Sequence, residues 1–248
     1  MPAEPGGPHP LLVYLHGGGW TTGDLDTHDE PCRLLCRHAG VHVVAVDYRL
    51  APEHKFPAAV EDAGAALRWA QANAERLGAD PSRVAIGGDS AGGNLAAVAS
   101  REAEQAPALQ LLIYPPMDLT GGTRSRELFD EGFFLTSARR RWFDENYFGG
   151  TGADPADPRL SPLLAADLTG LPPSIMVTGA FDPLRDEGEA YAAALRAAGV
   201  PVALRRASGL VHGFVNMTAI NHAARDAVLE AAGMTRAALA LRDPRSNP

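Results

Sequence analysis

The 248 residues carry a formal net charge of −8 and a pI near 5.4, with 46% hydrophobic and 21% charged residues. That length is enough to bury the core of one α/β domain, and the composition is that of an ordinary globular chain. The acidic balance excludes a general nucleic-acid binder, which needs a basic face to neutralise phosphates. No apolar run approaches the roughly 20 residues of a spanning helix. Residues 1–10 show neither the basic nor the apolar region of a secretory leader, so a cytoplasmic setting is expected. The only two cysteines, Cys32 and Cys36, sit about one helical turn apart with no His or Cys cluster to complete a metal site. They read as reduced, semi-buried thiols in a reducing compartment.

Short apolar runs at 11–15, 41–46, 83–87, 109–114, 175–179 and 202–206 predict strands, and helical patterns at about 27–39, 60–77, 91–104, 187–198 and 219–241 separate them. Runs apolar throughout, alternating with helices, predict the α/β class: a mostly parallel central sheet with helices on both faces. Gly78, Gly199 and the Asp80-Pro81 step mark helix ends. Residues 1–248 are expected to form a single domain, with 115–173 as an insertion that breaks the rhythm. This stretch is rich in Pro, Gly and Asp, and carries Phe133, Phe134, Trp142, Phe143, Tyr147 and Phe148 around a helix at about 137–147. A long insertion of this kind is usually functional, so it is expected to form a cap or pocket wall. For any single aromatic there, an ordinary core position is the alternative.

Gly88-Asp89-Ser90-Ala91-Gly92 lies between a predicted strand and a predicted helix. A sharp strand-to-helix turn projects the serine hydroxyl over a helix N-terminus, where small neighbours leave room for it. Amide hydrogens at that helix end favour a developing oxyanion. The plainer reading of the pentapeptide is a glycine-rich helix start that Ser90 merely caps.

His16-Gly17-Gly18-Gly19-Trp20 directly follows the first strand. The loop lacks the Gly-Lys-Ser/Thr ending of a phosphate-binding loop and the G-x-G-x-x-G of a dinucleotide fold. Gly17 and Gly18, joined by Ala91, are therefore expected to donate their amides to an acyl oxyanion. His16 is expected to order this loop through hydrogen bonding. Of the eight histidines, His9, His28, His38 and His54 read as surface or structural residues. His212 lies in a glycine-flanked loop beyond the last strand, where an imidazole can reach the serine. Asp182, just past the strand at 175–179, is the first choice to orient it, with Asp186 and Glu187 as competitors at the next helix start. The order Ser90, Asp182, His212 is that of the α/β-hydrolases.

These segments resemble the bacterial hormone-sensitive-lipase-like esterases of family IV. The resemblance rests on His16–Trp20, the Asp47-Tyr48-Arg49-Leu50-Ala51-Pro52-Glu53 run, GDSAGGN from Gly88 to Asn94, DPLRDEG from Asp182 to Gly188, and His212-Gly213-Phe214. It implies an α/β-hydrolase fold and hydrolysis of short- to medium-chain carboxylic esters, with Ser90, Asp182 and His212 as the triad. It also implies a structural brace at 47–53, with ion pairs of Arg49 and Glu53 as its expected basis. Asp89 is expected beside the pocket, fixing the elbow's loops by hydrogen bonds. Trp20, Phe133 and Phe134, with Trp142 and Phe143, are expected to line the pocket itself.

Such chemistry calls for neither a metal nor an organic cofactor, and the expected partner is a small-molecule ester. Fifteen residues precede His16, where relatives of this kind carry several tens. The N-terminal cap and first strands are therefore expected to be missing. That would leave 41–46 as an exposed edge, an open pocket and a tendency towards homodimers or other self-association. A receptor-like relative that binds without turnover, or an esterase inactivated by truncation, is the alternative function.

Overall fold

The computed structural model describes residues 8–241. Its six strands are β1 (His9–Leu15), β2 (His42–Val46), β3 (Ala79–Asp89), β4 (Gln110–Ile113), β5 (Ser174–Phe181) and β6 (Val202–Val211). They form one sheet in the order β2-β1-β3-β4-β5-β6, and every pairing is parallel. Parallel neighbours cannot be joined by tight hairpins, so each connection is a crossover through helix or loop. The helices are α1 (Asp29–Ala39), α2 (Ala58–Asn73), α3 (Ala91–Glu102), α4 (Arg124–Leu128), α5 (Ser137–Tyr147), α6 (Arg185–Ala197) and α7 (His222–Ala240).

The two-residue period of β1 divides its side chains between two cores. Leu11, Val13 and Leu15 join Leu67 of α2, Leu95 of α3 and Tyr191 of α6 on one face. Leu12 and Tyr14 join Leu35 of α1 and Val228 of α7 on the other. Both faces are thus covered, which is why the central strands read as unbroken apolar runs. Each leucine driven to full burial contributes roughly 1.5–3 kcal/mol.

All six expected strands are present, but β6 continues past residue 206 to Val211. Its far half, ASGLV, is broken by the exposed Ser208 and Gly209, so no apolar run marked it. The helix α4 was not foreseen, because its five residues, RSREL, offer no apolar stripe. At the other edge β2 is the outermost strand among the described residues, with Val43 and Val44 partly exposed.

The expected brace uses different partners. Arg49 pairs with Asp62 at 2.8 Å and Glu61 at 3.3 Å on α2, not with Glu53. The α2 carboxylates are brought under Arg49 by tertiary folding, which local sequence did not reveal. Cys32 and Cys36 are buried and unbridged. Among the described residues no helix is long and apolar enough to cross a membrane.

Candidate active site

His16, Asp47, Ser90, Tyr114, Asp182 and His212 each follow the last residue of β1 to β6 in turn. Because the strands are parallel, all six arrive at one edge of the sheet. Open α/β sheets bind their ligands at that carboxyl edge.

Ser90 holds φ at +51° between β3 and α3. A non-glycine residue pays for that conformation, and it persists only where its surroundings enforce it. The enforcement is visible: Ser90 donates its amide to the Ile113 carbonyl at 2.8 Å. Gly88 and Gly92 let the turn close against β1, since a Cβ at either position would run into the Leu15 carbonyl oxygen. Ser90 Oγ lies 2.9 Å from His212 Nε2. His212 Nδ1 lies 2.8 Å from Asp182 Oδ2, and Asp182 is fully buried. The other carboxyl oxygen, Oδ1, accepts the Leu184 amide at 2.8 Å. Neither competitor reaches the histidine. Asp186 accepts the Ser125 amide at 2.7 Å, and Glu187 pairs with Arg126 at 2.7 Å.

Asp89 organises the loops around this constellation. Its Oδ1 accepts the Tyr14 hydroxyl at 2.9 Å and the Gly17 amide at 3.0 Å, while Tyr114 donates to Oδ2 at 3.3 Å. His28 Nε2 stands 3.4 Å from Oδ1. Burial pushes the Asp89 carboxyl up, but His28, Tyr14 and Gly17 together outweigh it and hold the group below the usual carboxylate range. Burial also lowers His28, yet its bond to Asp89 leaves it raised overall. One expectation changes here. Gly17 was expected to donate to an oxyanion, but its N–H is committed to Asp89. The amides of Gly18 and Gly19 have no acceptor among the described residues. His28, grouped with the surface or structural histidines, is a buried structural one beside Asp89, and it also lines the cavity. His16 does order the loop: its Nδ1 meets the Gly17 carbonyl at 2.8 Å, and its ring stacks on Tyr48.

A family model described as α/β-hydrolase fold matches residues 12–216. The chain belongs to the α/β-hydrolase family. The hormone-sensitive-lipase-like resemblance read from its motifs holds. It is 57% identical to "Carboxylic ester hydrolase LipN" of Mycobacterium tuberculosis, over 86% of this chain and 59% of that protein. The chain thus spans about three-fifths of that relative's length. It is 43% identical to "Ethyl acetate hydrolase" of Pseudomonas putida, over 84% of this chain and 67% of the relative. Among solved structures it superposes on a hyperthermophilic esterase from Pyrobaculum calidifontis with a TM-score of 0.90 at 45% identity. That match covers 94% of this chain and 78% of the other.

In this α/β-hydrolase a cavity of about 370 Å³ opens over Ser90, Ala91, His212 and the Gly17–Gly19 loop. Trp20 lines it, although its indole mainly stacks on Tyr147 at 4.4 Å. Phe134 and Phe143 line it as expected. Phe133 does not: it stacks on Phe181 at 5.9 Å and packs edge-on to Phe129 at 5.0 Å, outside the wall. Trp142 points outward and is half exposed. Of the expected neighbours, Asp89 does border the cavity. The wall also holds Leu119, Leu135 and Leu184, and a polar group of Arg126, Arg139, Arg140 and Asp144 that the sequence reading missed. The helical spacing of 139, 140, 143 and 144 puts those residues on one face of α5, a signal that was available.

Proposed function

We propose that this protein is a serine carboxylesterase acting on short- to medium-chain esters through an acyl-enzyme. The observation that carries the reading is the unbroken hydrogen-bond chain from Ser90 through His212 to Asp182 at the mouth of the cavity. The printed names of the relatives support the same chemistry. His212 Nε2 takes the Ser90 proton as Oγ attacks the ester carbonyl, and Asp182 fixes the imidazole and stabilises its protonated form. Gly18, Gly19 and Ala91 are the proposed amide donors to the oxyanion, with Gly17 serving the loop through Asp89. The protonated His212 then gives its proton to the leaving alcohol. Water, deprotonated by the same imidazole, releases the acid and restores the serine.

The reading treats the chain as one catalytic domain in which 115–173 supplies the pocket wall, supported by the α5 side chains that line the cavity. The cytoplasmic setting is supported by the two unbridged thiols. Self-association through the outermost strand β2 is supported by its partly exposed valines, and size-exclusion chromatography across concentrations tests it. The activity is tested with p-nitrophenyl esters of graded acyl length. Ser90→Ala is expected to lower kcat by at least ~10³-fold with an unchanged circular dichroism spectrum. Turnover near that of the unmodified protein would overturn the assignment.

A further inference from the structure

The cavity over Ser90 has a charged wall that the proposed acyl transfer does not use. Asp144 lines it from α5, and neither a hydrogen bond nor an ion pair ties its carboxyl down among the described residues. Arg126 and Arg140 act on it only through space. Arg126 holds Glu187 at 2.7 Å and the Asp118 carbonyl, and Arg140 holds Asp130 at 3.2 Å through Nη2 while its Nε is buried without a partner among the described residues. Arg139 lies over the Phe143 ring, 5.7 Å from its centroid. Leu119, Leu135 and Leu184 line the same cavity. Burial pushes the Asp144 carboxyl up to about 6.

A carboxylate in such a wall discriminates between ester classes. An anionic substrate end would meet the Asp144 carboxylate, with the carboxylates of Glu187 and Asp130 already held by Arg126 and Arg140. A cationic end would meet Arg126, Arg139 and Arg140 together. A purely apolar end would strip water from the carboxylate and return nothing. A neutral O–H donor supplies the hydrogen bond that the Asp144 carboxyl lacks, and hydrogen bonds to a charged acceptor are the stronger kind.

We propose that Asp144 selects esters bearing a neutral hydroxyl, on the acyl or the alcohol side, by accepting a hydrogen bond from that hydroxyl. The proposal rests on the esterase reading and deepens it to a substrate class. The test compares each hydroxy ester with the isostere in which methyl replaces hydroxyl. Suitable pairs are ethyl 6-hydroxyhexanoate with ethyl heptanoate, and 2-hydroxyethyl butyrate with propyl butyrate. A half-ester of a dicarboxylic acid and a choline ester represent the charged classes.

Ratios of kcat/KM within one protein are independent of how much of a variant is folded. In the unmodified protein at least one hydroxy ester is expected to exceed its isostere by about tenfold. Asp144→Leu should bring that ratio to one or below. Asp144→Asn, whose amide oxygen still accepts, should keep part of it. The proposal is overturned if both isosteres are preferred, if Asp144→Leu leaves the ratio unchanged, or if a charged ester outruns both hydroxy esters. Turnover of the methyl isosteres is the separate check on the esterase reading, and its absence would remove that reading and the proposal with it.

Discussion

Asp89→Asn tests whether the site depends on the carboxylate behind it. The residue is 2% exposed, and its carboxylate accepts from Tyr14 at 2.9 Å, Gly17 at 3.0 Å and Tyr114 at 3.3 Å, with His28 alongside. Asparagine keeps the shape but offers one acceptor oxygen and an NH₂ that faces donors. The tyrosine hydroxyls can rotate to accept from it, whereas the Gly17 N–H cannot. Two strong bonds to a charged acceptor at about 1.5–3 kcal/mol each are lost or replaced by weaker ones, and His28 loses its counter-charge. A destabilisation of about 3–5 kcal/mol is expected, a large share of the ~5–15 kcal/mol typical of a domain.

The kinetic consequence follows from Gly17. With its amide released, the loop carrying Gly18 and Gly19 loses its anchor. We expect kcat on p-nitrophenyl butyrate to fall about 10- to 100-fold, with KM changing less. Urea unfolding followed by tryptophan fluorescence gives the stability, and initial rates below the transition give the kinetics. Because the folded carboxyl is held below the usual 3.8, its contribution is fully present above that pH and is lost as pH falls through the lower folded value. The gap between the two proteins should therefore close in acid. An unchanged urea midpoint together with kcat within twofold would refute the role given to Asp89.

Gly92→Ala should cost more than 3 kcal/mol or block folding, since its Cβ would collide with the Leu15 and His16 backbone; a urea midpoint near that of the unmodified protein would contradict the close approach. Asp144→Asn should stabilise the protein at pH 8, because ionising a carboxyl moved from the usual 3.8 to about 6 costs up to about 3 kcal/mol at 1.36 kcal/mol per pH unit. The sign follows from the raised folded value: the penalty is full above pH 6 and fades as pH falls towards 3.8. A variant equally stabilised at pH 4 and pH 8 would place the effect elsewhere.

The strands and the proposed triad were legible in sequence because each is a local signal. β1, β5 and the 84–87 run of β3 are apolar on both faces, Ser90 lies between Gly88 and Gly92, and Asp182 and His212 directly precede Pro183 and Gly213. What sequence left open was settled by contacts between distant segments. The Gly17 amide, expected to face an oxyanion, is taken by Asp89, and 72 positions separate the two residues. Arg49 found Asp62 rather than Glu53 for the same kind of reason. Phe133 and Phe134 are chain neighbours on opposite sides of a wall, a distinction that neither composition nor hydropathy encodes.

Two carboxylates border the cavity, and their environments push them in opposite directions. Asp89 is surrounded by donors and is held low, so its charge adds to the stability of the fold. Asp144 is half-buried without a donor and is pushed up, so its charge subtracts from it. A group that stabilises the folded chain is explained by folding alone. One that weakens it calls for another reason to be there, and acceptance of a substrate hydroxyl supplies that reason. The same comparison separates the roles around Ser90: donors gathered on Asp89 hold the loops still, and the acceptor left open at Asp144 waits for what the cavity takes in.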